Sequence, residues 1–78
     1  MSTLTKINNI KATDVWFSDI MLYVRLDDGR EIGTPLEWFP KLRDANEPDR
    51  KKWRFIGNGI GIHWESLDED ISIAGLLQ

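Results

Sequence analysis

The sequence predicts a small α+β domain, with three antiparallel strands, a short helical segment and then a β-hairpin. Three observations carry that prediction. Residues 20–26 alternate aliphatic and mixed side chains and run directly into Asp27-Asp28-Gly29. Pro35, Pro40 and Pro48 all fall in one central stretch, at or near positions that start short helices. A second glycine-rich turn, Gly57-Asn58-Gly59, leads into another alternating run.

Taken in order, residues 7–17 are apolar at Ile7, Ile10, Val15, Trp16 and Phe17, β-branched and aromatic types that favour a strand. Ser18-Asp19 offers a turn. In residues 20–26 the even positions Ile20, Leu22, Val24 and Leu26 form one aliphatic face, and Met21, Tyr23 and Arg25 form a mixed one. Asp28-Gly29 accepts the positive φ angles of a type I′ turn, and residues 31–34 return as the third strand. Thr34-Pro35-Leu36-Glu37 has the spacing of a capping box. Pro40 stops any long helix, because it lacks a donor and clashes with the preceding turn. The expectation is a turn over residues 36–39 and a short helix over 40–45. Asn46 then caps a second helix, with Glu47 and Asp49 in its first turn and Arg50, Lys51, Lys52 and Arg54 toward its end. Phe55 and Ile56 return to strand. Beyond the glycine turn Ile60, Ile62 and Trp64 share a face, so His63 points the opposite way. A turn through residues 68–70 and one helical turn to Leu77 complete the reading, although Ile71-Ser72-Ile73 also alternates as a strand does.

Seventy-eight residues make a single domain with a small core, in which the four tryptophans, three phenylalanines and Tyr23 carry much of the burial. There is no cysteine, so neither disulfides nor a thiolate metal site can help. No apolar run approaches ~20 residues, and the expectation is a soluble cytoplasmic protein of a bacterium or its virus. Net charge is −3, unevenly spread. Residues 41–54 hold six bases and three acids, giving +3, whereas residues 55–78 hold Glu65, Asp68, Glu69 and Asp70 with no lysine or arginine, giving −4.

Gly61-Ile62-His63-Trp64-Glu65-Ser66-Leu67-Asp68-Glu69-Asp70 concentrates the sole histidine and four carboxylates. A structural zinc site wants four nitrogen or sulfur ligands and finds one, and the acids lack the spacing of a calcium loop. No metal or other cofactor is expected. Catalysis needs an enclosing pocket and a nucleophile with a partner base, and neither is legible, so the chain reads as non-enzymatic. The carboxylates Glu65, Asp68, Glu69 and Asp70 read as a solvated turn or as a surface complementary to a basic partner. Arg50-Lys51-Lys52-Trp53-Arg54 admits a nucleic-acid patch, but helical spacing packs Trp53 inward with the cations on the solvated face, and phosphate contacts oppose the net charge. Direct nucleic-acid binding through Arg50, Lys51, Lys52 and Arg54 is therefore the alternative reading; a homodimer would bring two such stripes together. Trp38-Phe39-Pro40 is core in the commoner case and a partner-binding anchor in the other.

In order, the elements Asp27-Asp28-Gly29-Arg30, Pro35-Leu36-Glu37-Trp38-Phe39-Pro40, Trp53-Arg54-Phe55-Ile56-Gly57, Gly61-Ile62-His63-Trp64 and Leu67-Asp68-Glu69-Asp70-Ile71-Ser72 resemble a bacterial family of small proteins known as domain of unknown function 2442. The resemblance runs from Val15 to Leu77 and departs from the family pattern at Glu65-Ser66, where proline and aspartate are usual. It implies a two-layer α+β fold with an antiparallel sheet, and it supplies no reaction. Similar proteins occur beside a second small gene, as toxin–antitoxin pairs do, and on mobile elements whose small acidic proteins occupy nucleic-acid-binding surfaces. By that analogy the expected role is neutralising a basic or nucleic-acid-engaging partner protein, as an antitoxin or an inhibitor of a defence complex such as CRISPR would. Glu65, Asp68, Glu69 and Asp70 would supply charge, and Trp38, His63 and Trp64 would supply buried contact.

Overall fold

The computed structural model describes residues 10–77. It holds two three-stranded antiparallel sheets. β1 (Ala12–Phe17), β2 (Met21–Leu26) and β3 (Glu31–Pro35) form the first, in that spatial order. The expected start of β1 at Ile7 lies outside the described residues. A 3₁₀ turn, Leu36–Trp38, leads to two four-residue helices, α1 (Pro40–Arg43) and α2 (Glu47–Arg50). β4 (Trp53–Ile56), β5 (Gly61–Trp64) and β6 (Glu69–Ser72) form the second sheet, and α3 (Ile73–Leu76) ends the described chain. The α+β class and the order of elements agree with the sequence reading. The C-terminal hairpin is present as β4 and β5, and β6 extends it.

Side-chain alternation builds the core. Across the first sheet Val15 stands opposite Val24, which faces Ile32, while Phe17 stands opposite Leu22, which faces Thr34. Across the second, Trp53, Trp64 and Glu69 share one row, and Phe55, Ile62 and Ile71 the next. These inward faces meet in one cluster that includes Leu22, Val24, Leu26, Leu36, Leu42, Ile62, Trp64 and Ile73. The Phe17 and Trp64 rings meet edge to face, 6.4 Å apart, joining the two sheets. Trp64 has no exposed surface, and its indole Nε1–H donates to the Arg50 carbonyl at 2.9 Å. Roughly 200 Å² of aromatic burial at ~25 cal/mol per Å² stabilises the fold by on the order of 5 kcal/mol.

Several local expectations are corrected. The first hairpin does not use a type I′ turn. Gly29 alone has positive φ, +94°, its N–H donates to Leu26, and the Leu26 N–H donates to Arg30. That is a three-residue loop in which a left-handed glycine follows an ordinary turn. Ile20 is 71% exposed because β2 begins only at Met21. Ile60, half exposed, precedes β5 and does not share the buried face of Ile62 and Trp64. Thr34 makes no capping box: it is buried within β3, and Pro35 occupies the cap position without a side-chain hydrogen bond. Asn46 does cap α2, accepting from the Asp49 N–H at 3.0 Å. Trp53 opens β4, not the end of a helix. The acidic turn covers Glu65 to Asp68, and Glu69 and Asp70 belong to β6. Asp68 takes the left-handed conformation (φ +51°) that ends the turn.

Candidate functional site

The acidic segment is divided by the pleat of β6. Ile71 and Glu69 stand on the core-facing side of the second sheet, and Asp70 and Ser72 on the outer side. On that outer side Arg54, His63 and Asp70 are neighbours across β4, β5 and β6. His63 lies between two carboxylates: Nδ1 meets Asp70 in a short contact, and Nε2 meets Glu65 Oε1 at 3.1 Å. Arg54 approaches the same Glu65 oxygen at 3.5 Å. The Asp70 hydrogen bond, more than Glu65, raises His63 above the usual imidazole range against the opposing effect of desolvation. Both ring nitrogens are thus occupied by carboxylates of the chain. Among the described residues no group of three or more metal-ligating side chains is arranged to hold an ion.

The remaining acids behave differently. Glu69 is largely covered and lies 4.0 Å from Lys41 Nζ, which donates to the Asp68 carbonyl at 2.9 Å. The Asp68 carboxylate forms no ion pair among the described residues. The structure therefore brings Glu65, His63 and Asp70 together as an ion-paired row, leaves Asp68 beside it, and turns Glu69 away.

The basic stretch is engaged internally. The Arg50 guanidinium donates to the carbonyls of Leu42 and Arg43, both at 2.7 Å, where it closes the end of α1. Lys51 pairs with Glu47 at 2.9 Å, and this ammonium holds the Glu47 carboxyl below its ordinary range. Lys52 lies 4.0 Å from Asp49, and Arg54 pairs with Glu65. Arg50 and Lys51 also border a cavity of about 350 Å³ with Trp16, Phe17 and Trp53, but their charges are already directed at partners within the chain.

Trp38 departs most from its commoner reading as core. It is 70% exposed. Leu36 takes the buried position of the 3₁₀ turn, the Phe39 N–H closes that turn onto the Leu36 carbonyl at 2.9 Å, and Trp38 is left outside. Trp38 and Phe39 line a groove of about 330 Å³ together with Asp70, Ile71, Ser72 and Leu76. Phe39 belongs to the Trp38-Phe39-Pro40 anchor of the sequence reading, whereas Ser72 and Leu76 were not legible as site residues. The available signal was the alternation of Ile71-Ser72-Ile73, which places Ser72 on the outer side of an edge strand. Of the three residues expected to supply buried contact, Trp38 and His63 have surface to offer, and Trp64 is enclosed.

Comparison with protein families matches residues 12–78 to the family described as "Protein of unknown function (DUF2442)". The chain belongs to that family. A crystal structure of a protein of unknown function from Rhodospirillum rubrum ATCC 11170, at 2.75 Å resolution, is similar at a TM-score of 0.74 and 27% identity, over 87% of this chain and 84% of the other. Comparison with curated proteins gave no match.

Proposed function

We propose that this member of the DUF2442 family is a non-enzymatic protein-binding module that holds a basic partner protein at the Trp38 groove. The observation that carries the reading is the exposure of Trp38 beside an apolar groove with Asp70 on its rim. An exposed indole next to apolar walls is the residue type that dominates binding energy at interfaces. The Asp68 carboxylate, which forms no ion pair among the described residues, adds a negative field that favours association with a cationic partner, and Asp70, although it meets His63, is 68% exposed beside it. In its sharpest form the partner engages nucleic acid, and the module neutralises it in the cytoplasm, as an antitoxin or an inhibitor of a defence complex would. Phosphate mimicry by all four acids has less support, because Glu65, Glu69 and Asp70 each face a cation or His63 of the chain itself. The nucleic-acid-binding alternative has less support still, since Arg50, Lys51, Lys52 and Arg54 are similarly engaged.

The test is affinity capture of the tagged chain from its native host in the presence of nuclease, with Trp38→Ala in parallel. A stoichiometric protein retained by the parent and weakened roughly 30-fold in the variant is expected. Recovery of nucleic acid alone, or a partner that Trp38→Ala retains equally well, overturns the reading.

A further inference from the structure

We infer that the groove receives an extended, cationic segment of the partner as an added strand along β6. This rests on the reading of the Trp38 groove as a protein-binding site and specifies how the partner is held. The first support is the hydrogen-bond parity of the second sheet. The Ile73 N–H donates to the Ile60 carbonyl at 2.9 Å, just beyond the last β5–β6 pair, Gly61 with Ser72. Bonded and non-bonded pairs alternate along an antiparallel ladder. Ile71 with Ile62 and Glu69 with Trp64 are therefore the bonded pairs, and Asp70 with His63 is a non-bonded pair, where opposed side chains come closest. The contact between the His63 and Asp70 side chains fits that assignment.

The parity has a consequence at the edge. The N–H and C=O of Asp70, and the N–H of Ser72, point away from β5, and no described strand lies beyond β6. Such an edge is a template for another extended chain unless something blunts it. Here the groove borders it: Asp70, Ile71 and Ser72 of β6 line the groove together with Trp38, Phe39 and Leu76 of α3. Before β6 Lys41 bonds the Asp68 carbonyl, which limits the open edge to a few residues.

The pleat dictates the chemistry of the occupant. A strand added beside β6 continues its alternation, with one set of side chains beside Ile71 and the other beside Asp70 and Ser72. The first set falls on the core side, against which Phe39 and Leu76 pack, so apolar side chains fit it. The second set meets Asp70, the one ionisable residue lining the groove. The Asp70 Oδ1 meets His63, but the side chain is 68% exposed, so lysine or arginine reaches the carboxylate from the solvent side, with Asp68, unpaired among the described residues, nearby. A second copy of this chain offers the opposite charge pattern. Antiparallel pairing of two β6 strands sets Asp70 against Asp70 or against a residue within two positions of it, in a strand whose only formal charges are Glu69 and Asp70. Backbone pairing supplies the affinity, and the groove and Asp70 supply the selection, as in other strand-addition modes of peptide recognition.

The test uses the full chain and the synthetic heptapeptide Lys-Val-Lys-Leu-Lys-Val-Lys, blocked at both ends, with a series carrying one N-methyl group at each successive position. Fluorescence titration is expected to show binding weakened roughly 30-fold by Trp38→Ala and roughly tenfold when glutamate replaces the peptide lysines. N-methylation should weaken binding several-fold at alternate central positions and leave the intervening ones unchanged. The amides of Asp70 and Ser72 should gain protection from hydrogen exchange when the peptide binds. Trp38-dependent binding with no alternation in the N-methyl series overturns strand addition and leaves Trp38 as a contact of another kind. Absence of peptide binding, where Trp38-dependent capture of a host protein succeeds, also overturns it without touching the broader reading. Slow exchange of Asp70 and Ser72 in the free chain, or a dimer in sedimentation that Trp38→Ala disrupts, shows that the edge has another occupant and overturns it as well.

Discussion

His63 is the sole histidine, so its titration reports one environment. Asp70 and Glu65 hold the imidazolium from both sides, and the Asp70 hydrogen bond is the chief cause of its raised pKa. A group that binds its proton more tightly when folded adds stability that is fully present below the unfolded value, near ~6.5, and is lost as pH rises through the higher folded value. The ring protons of His63 should therefore titrate with a midpoint above ~6.5, and Asp70→Asn should bring it down further than Glu65→Gln does. The melting temperature should decline over the same window in the parent and show no such decline in His63→Gln. A midpoint at or below the ordinary value would mean that the carboxylates do not hold the imidazolium in solution. The sequence placed His63 and the acids in one stretch and set His63 on the face opposite Trp64. It did not reveal that Asp70 returns across a strand pair to meet it, because that meeting depends on register, which no local pattern records.

At the scale of elements, legibility followed the strength of local chemistry. β2 was readable because Leu22, Val24 and Leu26 alternate with Met21, Tyr23 and Arg25, and α2 because Asn46 caps it. β6 was obscured because Glu69 and Asp70 are poor strand formers, and pairing with β5 overrides their preference. The commoner reading of Trp38 as core fails for a related reason. Its apolarity argues for core, but Leu36 already fills the inward position of a turn too short to bury two large side chains. The two glycine turns also differ in a way that sequence conceals and substitution should reveal. Gly29 (φ +94°) has open space where a Cβ would stand, whereas a Cβ on Gly59 (φ +105°) would lie 2.6 Å from the Ala12 carbonyl oxygen. Gly29→Ala should cost about 1 kcal/mol, from the left-handed backbone alone. Gly59→Ala should cost distinctly more, above ~2 kcal/mol, since the turn must also retreat from β1. Urea denaturation of the two variants checks this. Equal losses would mean that the turn before β5 does not press on the first sheet.

For the whole molecule, the question is whether two small sheets make one cooperative unit. Neither has a sufficient core alone: Leu22, Val24 and Leu26 come from the first sheet, and Ile62, Trp64 and Ile71 from the second, and they meet in a single cluster. Three further links cross between the sheets or fix their connector. Phe17 packs edge to face on Trp64, Gly59 abuts Ala12, and the Trp64 indole donates to Arg50 in the intervening helical segment. A chain of this size with one shared core should unfold in a single transition. Amide signals from β2 and β5, followed separately through a urea titration, should therefore share one midpoint. Phe17→Ala, which removes a ring that belongs to the first sheet but touches Trp64 of the second, should lower both midpoints equally, by the equivalent of roughly 3 kcal/mol. A shift confined to β2 would show that the second sheet, with its β6 edge, persists alone. A shared shift would mean that the binding edge is only as stable as the entire domain, so a destabilising change anywhere in the core would also weaken capture of the partner.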